Sequence, residues 1–174
     1  MKNLLICDDD PVMLSELTEL IKADEIIKSK VSVQEVEYGT PREPDKNDQY
    51  KESLILNQMC DPSCFLLCDI VLCEKAETVL ADTYRSITMI KQMINNKNVY
   101  GKEITSRIAL YTTDYQITRE QLSNRLQIPC KVFHVARMHF MKTLNGWDNR
   151  TNYNKQHAQD ARGNFLKDLQ RFFD

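Results

Sequence analysis

Five short apolar runs separated by longer amphipathic stretches constrain this chain more than any other feature. That alternation is the pattern of a parallel sheet wrapped by crossover helices, an α/β architecture. The runs are Asn3 to Cys7 (NLLIC), Val31 to Tyr38 (VSVQEVEY), Cys64 to Cys68 (CFLLC), Arg107 to Tyr111 (RIALY) and Lys131 to Ala136 (KVFHVA). The first, third and fourth are nearly continuous in apolar character, as strands covered on both faces are. Val31, Val33 and Tyr38 in the second alternate more, as at a sheet edge.

Helix signals fill the gaps. Pro11 suits a first helical position with Asp10 as its cap, and Val12, Leu14, Leu17, Leu20 and Ile21 then recur at helical spacing. A second helix is expected from about Asp48 to Met59 and a third from about Ala76 to Ile94. A fourth opens at Thr118, whose hydroxyl makes a capping-box pattern with Gln121. The last runs to the C-terminus with Phe165, Leu166, Leu169, Phe172 and Phe173 as its apolar stripe. Two stretches interrupt a minimal β-α order. Gly39 to Asn47 (GTPREPDKN) reads as a long charged loop before the second helix, and Leu144 to Arg162 as a polar surface insertion delaying the last one. Neither reads as a separate domain, and 174 residues with 42% hydrophobic content suit one domain over residues 1–174.

The charged residues nearly cancel, to a net charge of -2, so no basic field exists to hold nucleic acid by its phosphates. No apolar run approaches the roughly 18 residues of a membrane span. The opening NLLIC is cut short by three aspartates, unlike a signal peptide, so a cytoplasmic location is expected. Cys60, Cys64, Cys68 and Cys73 form a loose ladder that could surround zinc. The absence of C-x-x-C pairs, and the place of Cys68 inside an apolar run, favour reduced structural thiols instead.

In an open parallel sheet, ligands collect beyond the carboxyl ends of the strands. The first run ends in Asp8, Asp9 and Asp10, and the third ends in Asp69, so several carboxylates are expected at one edge of the sheet. Such hard oxygen ligands suit Mg²⁺, or Mn²⁺ in its place. The triplet alone could be a helix cap with solvated acids before Pro11. Asp69 resists that kind of reading. It stands between Phe65-Leu66-Leu67-Cys68 and Ile70-Val71-Leu72, where a charge needs a partner.

LLICDDDP resembles the opening of a response-regulator receiver domain, with its apolar strand, paired acids and proline, and FLLCDIVL resembles the phosphoacceptor segment. The resemblance covers roughly the first 140 positions, judged by the order of elements. It implies a flavodoxin-like (βα)5 three-layer sandwich, with a five-stranded parallel sheet of order 2-1-3-4-5. By the same resemblance, Asp8, Asp9 and Asp69 with the backbone carbonyl of Val71 would hold Mg²⁺, and Asp69 would accept the phosphoryl group. Thr112 stands at the position of the receiver hydroxyl, where it would bond a phosphoryl oxygen and act in the switch; a β-branched residue ending a strand is the plainer account of it. The protein would catalyse its own modification rather than turn over as an enzyme.

Two features depart from the receiver pattern. Aligning His134 with the switch aromatic puts Arg137 at the position of the receiver lysine and Met138 where proline is usual; aligning Phe133 there leaves Ala136 and no cation. The first alignment retains a cation, although a guanidinium fork reaches phosphate differently from an ammonium. After Asp69, the usual glycine turns are replaced by Cys73-Glu74-Lys75-Ala76-Glu77, which implies a remodelled loop.

Two other functions stay open on the residues. A pseudo-receiver would bind a partner without phosphorylation. A phosphatase of haloacid-dehalogenase type would use Asp8 as nucleophile and Asp10 as acid/base, but Lys131 is a poor match for its lysine and no acidic pair follows the fourth run. The partners implied by the resemblance are a sensor histidine kinase or phosphotransfer protein and a downstream protein target. A homodimer through the face of the fourth helix, fifth strand and fifth helix is also implied. Trp147 and Tyr153 could anchor a partner on the polar insertion, which otherwise reads as a surface loop.

Overall fold

The computed structural model describes residues 1–39, 46–70, 85–112, 131–134 and 152–174. Its strands are Lys2–Asp8 (β1), Val31–Glu37 (β2), Cys64–Asp69 (β3), Ile108–Thr112 (β4) and Lys131–His134 (β5). They pair in parallel in the order β2-β1-β3-β4-β5, so the chain is α/β with a parallel sheet. The near-continuous apolar runs are the ones enclosed by neighbours: Cys64 to Cys68 in β3 and all of β4 are buried. β2 lies at the edge, with only Val31 and Val36 of its residues buried. Arg107 is not a strand residue. It closes a 3-10 turn over Ile104–Arg107, because its guanidinium is recruited by carbonyls at the amino end of the sheet.

Six helices are described: Pro11–Ala23 (α1), Glu25–Lys30 (α2), Asp48–Gln58 (α3), Arg85–Asn95 (α4), Lys97–Tyr100 (α5) and Asn152–Phe172 (α6). α1 starts as the sequence implies: the Asp10 carboxylate accepts from Val12 N–H at 3.0 Å and Met13 N–H at 3.2 Å, with Pro11 in the first turn. α2 escaped the sequence reading because it is too short to show a period and buries only Ile27. Its signal is Asp24, whose carboxylate accepts the Ile27 N–H at 2.9 Å. The same carboxylate accepts from Gln170 of α6 at 3.0 Å, which joins the two ends of the chain.

The polar insertion expected over 144–162 is corrected in its second half. Residues 152–162 form the first turns of α6. Gln, Lys, Arg and Ala are good helix formers, and the lack of aliphatic residues there is no obstacle to a helix that continues into an apolar stripe. Residues 144–151 lie outside the described residues, as do residues 40–45 of the expected loop, residues 76–84 of the expected third helix and the whole helix expected at Thr118.

Helices cover both faces of the sheet. On one, Met13, Leu14, Leu17 and Ile21 of α1 and Phe165, Leu169 and Phe172 of α6 pack with Leu4, Ile6, Leu67, Ala109 and Tyr111. On the other, Ile55 of α3, with Ile87, Ile90 and Met93 of α4, packs with Leu5, Cys7, Leu66, Cys68 and Leu110. The C-terminal aromatics make edge contacts across the first face, Phe65 with Phe172 at 5.3 Å and Phe133 with Phe165 at 6.0 Å between centroids. Among the described residues, no helix is long and apolar enough to cross a membrane.

Candidate functional site

β1 and β3 lie side by side, in register from Asn3↔Cys64 to Cys7↔Cys68. Their next residues, Asp8 and Asp69, therefore emerge together at the carboxyl edge of the sheet, and Asp9 follows on the turn into α1. One carboxylate oxygen from each of Asp8, Asp9 and Asp69 lies within 4.8 Å of the others. Among the described residues, this is the one group of three or more potential metal ligands. Asp8 is buried, and Asp9 and Asp69 are half-buried.

The local backbone fixes Asp8 tightly. Its main-chain carbonyl accepts from Tyr38 N–H at 2.8 Å, and its Oδ1 accepts from Asp10 N–H at 2.9 Å. Its Oδ2 accepts from the Tyr111 hydroxyl, whose oxygen also lies 3.4 Å from the Cys7 carbonyl. Burial pushes the Asp8 carboxyl up to about 6 from an ordinary 3.8. The hydrogen bonds from Tyr111 and Asp10 oppose that rise, and the neighbouring carboxylates of Asp9 and Asp10 add to it. Burial, with the charges of Asp8 and Asp69, also holds the Tyr111 phenol well above its ordinary value, so it stays a donor.

Tyr111 is the site residue that sequence reasoning missed. It stood inside an apolar run and read as packing. The available signal was its type: a phenol in a central strand needs a partner for its hydroxyl, and the carboxyl edge carries carboxylates. In register it faces Asp69, and strand alternation puts it on the same face of the sheet as Asp8. Thr112 is buried one residue further on, at the end of β4, and its backbone pairs with His134. Alternation sets the Thr112 side chain with Ile108 and Leu110, on the opposite face from Tyr111. Ser86, at the start of α4, is fully buried and donates to the Ile70 carbonyl at 2.7 Å, which ties that helix to the residue after Asp69. Val71, Cys73, Ala136, Arg137, Met138 and Trp147 lie outside the described residues.

An all-oxygen set of three carboxylates fits a hard divalent cation such as Mg²⁺ or Mn²⁺. Burial and the charges of Asp9 and Asp10 raise the Asp8 carboxyl, and a bound cation would offset both. Asp10, by contrast, is committed to capping α1, which weighs against its use as an acid/base beside an Asp8 nucleophile. Of the four cysteines among the described residues, Cys7, Cys64 and Cys68 are buried as small apolar residues are and Cys60 is exposed, and burial pushes the Cys64 thiol up to about 11. No family model matches this chain, and no curated protein or solved structure gives a significant match to it.

Proposed function

We propose that the chain is a divergent receiver domain of flavodoxin-like (βα)5 form that accepts a phosphoryl group on Asp69. The observation that carries the reading is the convergence of Asp8, Asp9 and Asp69 within 4.8 Å at the carboxyl edge of β1 and β3. The Asp69 carboxylate is the nucleophile. It attacks the phosphorus of a phosphohistidine on a kinase or phosphotransfer partner, a P–O bond forms as the P–N bond breaks, and the imidazole leaves. Asp8, Asp9, Asp69 and the Val71 carbonyl would hold a divalent cation, which would offset charge on the phosphoryl group.

Thr112 bonds a phosphoryl oxygen once transfer is complete, Arg137 supplies the cation that receivers draw from lysine, and His134 is the switch residue. The signal is passed by protein contact to a downstream target. A phosphorylation-independent pseudo-receiver is the second reading, favoured by Arg137 in place of lysine and by the Cys73 to Glu77 segment.

Calorimetry with Mg²⁺ and fluoroberyllate, a phosphoryl analogue, separates the two. The wild type is expected to bind the analogue only with Mg²⁺ present, and Asp69→Asn to bind none. Equal absence of binding in both proteins would sink the receiver reading and leave the binding module.

A further inference from the structure

Asp8 is held from two sides, by Asp10 N–H on Oδ1 and by the Tyr111 hydroxyl on Oδ2. The first donor comes with the turn into α1 and would exist for any residue at position 10 except proline. The second is specific to a side chain. Tyr111 is 1% exposed, and its ring packs in the core that α1 and α6 form over the sheet. A phenylalanine would fill the same volume without burying a hydroxyl, and a buried hydroxyl is costly unless bonded. The hydroxyl therefore has to be accounted for by what it bonds, and its partner is one of the three carboxylates of the candidate cation site.

We propose that Tyr111 is a positioning residue for that site: from β4, its hydroxyl aims the Asp8 carboxylate at the point where Asp9 and Asp69 converge and keeps it ready for a divalent cation. This rests on the cation site of the receiver reading. Its ring cannot swing away without opening the core, so the orientation of Asp8 is set before a cation arrives. Losing a hydrogen-bond partner of a metal ligand weakens metal binding by about 10- to 100-fold in general.

The test compares Mg²⁺ binding by calorimetry in wild type and Tyr111→Phe, with circular dichroism as the check on folding. Tyr111→Phe is expected to bind Mg²⁺ about 10-fold more weakly, the low end of that range, since Asp10 N–H still holds Oδ1. A tyrosine near-ultraviolet difference signal should accompany Mg²⁺ saturation of the wild type. It should vanish in Asp8→Asn, which retains Tyr111. Equal Mg²⁺ affinity in wild type and Tyr111→Phe would overturn the positioning role and leave the cation site standing. Absence of the tyrosine signal in a wild type that binds Mg²⁺ would do the same, even if Tyr111→Phe did not fold. A wild type that binds no Mg²⁺ would remove the cation site and this role with it.

Discussion

The two ends of the sheet each bury a charge, and they handle it in opposite ways. At the amino edge, the Arg107 guanidinium, 6% exposed, donates to the carbonyls of Met59 at 3.2 Å, Asp61 at 2.8 Å, Cys64 at 2.9 Å and Tyr100. These acceptors come from the α3–β3 connection, the start of β3 and the end of α5, so one side chain ties three segments together. At the carboxyl edge, Asp8 is as buried as Arg107 and has two donors, but its other close neighbours include Asp9 and Asp69, of its own sign. A buried charge spread over carbonyls is a structural solution. Like charges gathered under burial lower stability and are expected where a ligand of opposite sign completes the set.

The comparison breaks most visibly at Arg107. Arg107→Leu strips the donor from the buried bonds to the Met59, Cys64 and Tyr100 carbonyls, whereas the Asp61 carbonyl keeps the Cys64 N–H at 3.0 Å. Each orphaned buried acceptor costs roughly 1–3 kcal/mol. A loss of about 3 kcal/mol or more in unfolding free energy is expected by urea denaturation, with Mg²⁺ affinity unchanged in protein that remains folded. Wild-type stability in this variant would show that the amino edge does not depend on its charge.

Asp8 should respond in the opposite sense. A carboxyl raised to about 6 in the fold from an ordinary 3.8 binds its proton more tightly when folded. Its stabilising contribution is therefore fully present below about 3.8 and is lost as pH rises through about 6, amounting to about 3 kcal/mol in the limit. In chelator-treated protein, Asp8→Asn removes this slope. The stability of the wild type relative to Asp8→Asn should fall by about 2–3 kcal/mol between about pH 4 and about pH 7. Adding Mg²⁺ at neutral pH should restore wild-type stability and leave Asp8→Asn where it was. A flat difference across that range would mean that Asp8 is already compensated without a cation.

The difference between the edges also accounts for what the sequence revealed. The acidic edge was legible because apolar runs locate strands, strands run parallel in a β-α order, and Asp8 and Asp69 directly follow two such runs. The amino edge was not. Arg107 read as the first residue of a strand, because nothing local marks a guanidinium whose acceptors lie up to 48 residues away in sequence. Tyr111 failed for the same reason: its hydroxyl meets a carboxylate 103 residues earlier, and inside an apolar run only the ring was visible. Helix boundaries followed where a cap was written locally, as at Asp10 before α1. They failed at α6, where composition rather than propensity guided the expectation over 152–162.

The smallest test lies beside the Arg107 clasp. Gly101 ends α5 with φ 87° and ψ 154°, a conformation essentially confined to glycine, immediately after the Tyr100 carbonyl that Arg107 bonds. A Cβ at this position meets nothing within 4 Å, so Gly101→Ala adds backbone strain without a clash. Strain of this kind costs on the order of 1 kcal/mol. A loss of about 1 kcal/mol is therefore expected by urea denaturation, with Mg²⁺ affinity equal to that of the wild type. If Gly101→Ala weakened Mg²⁺ binding as well, the two edges would be mechanically linked through β4, whose amino end follows Arg107 and whose carboxyl end carries Tyr111. The separation of a structural edge from a ligand-binding edge would then have to be given up.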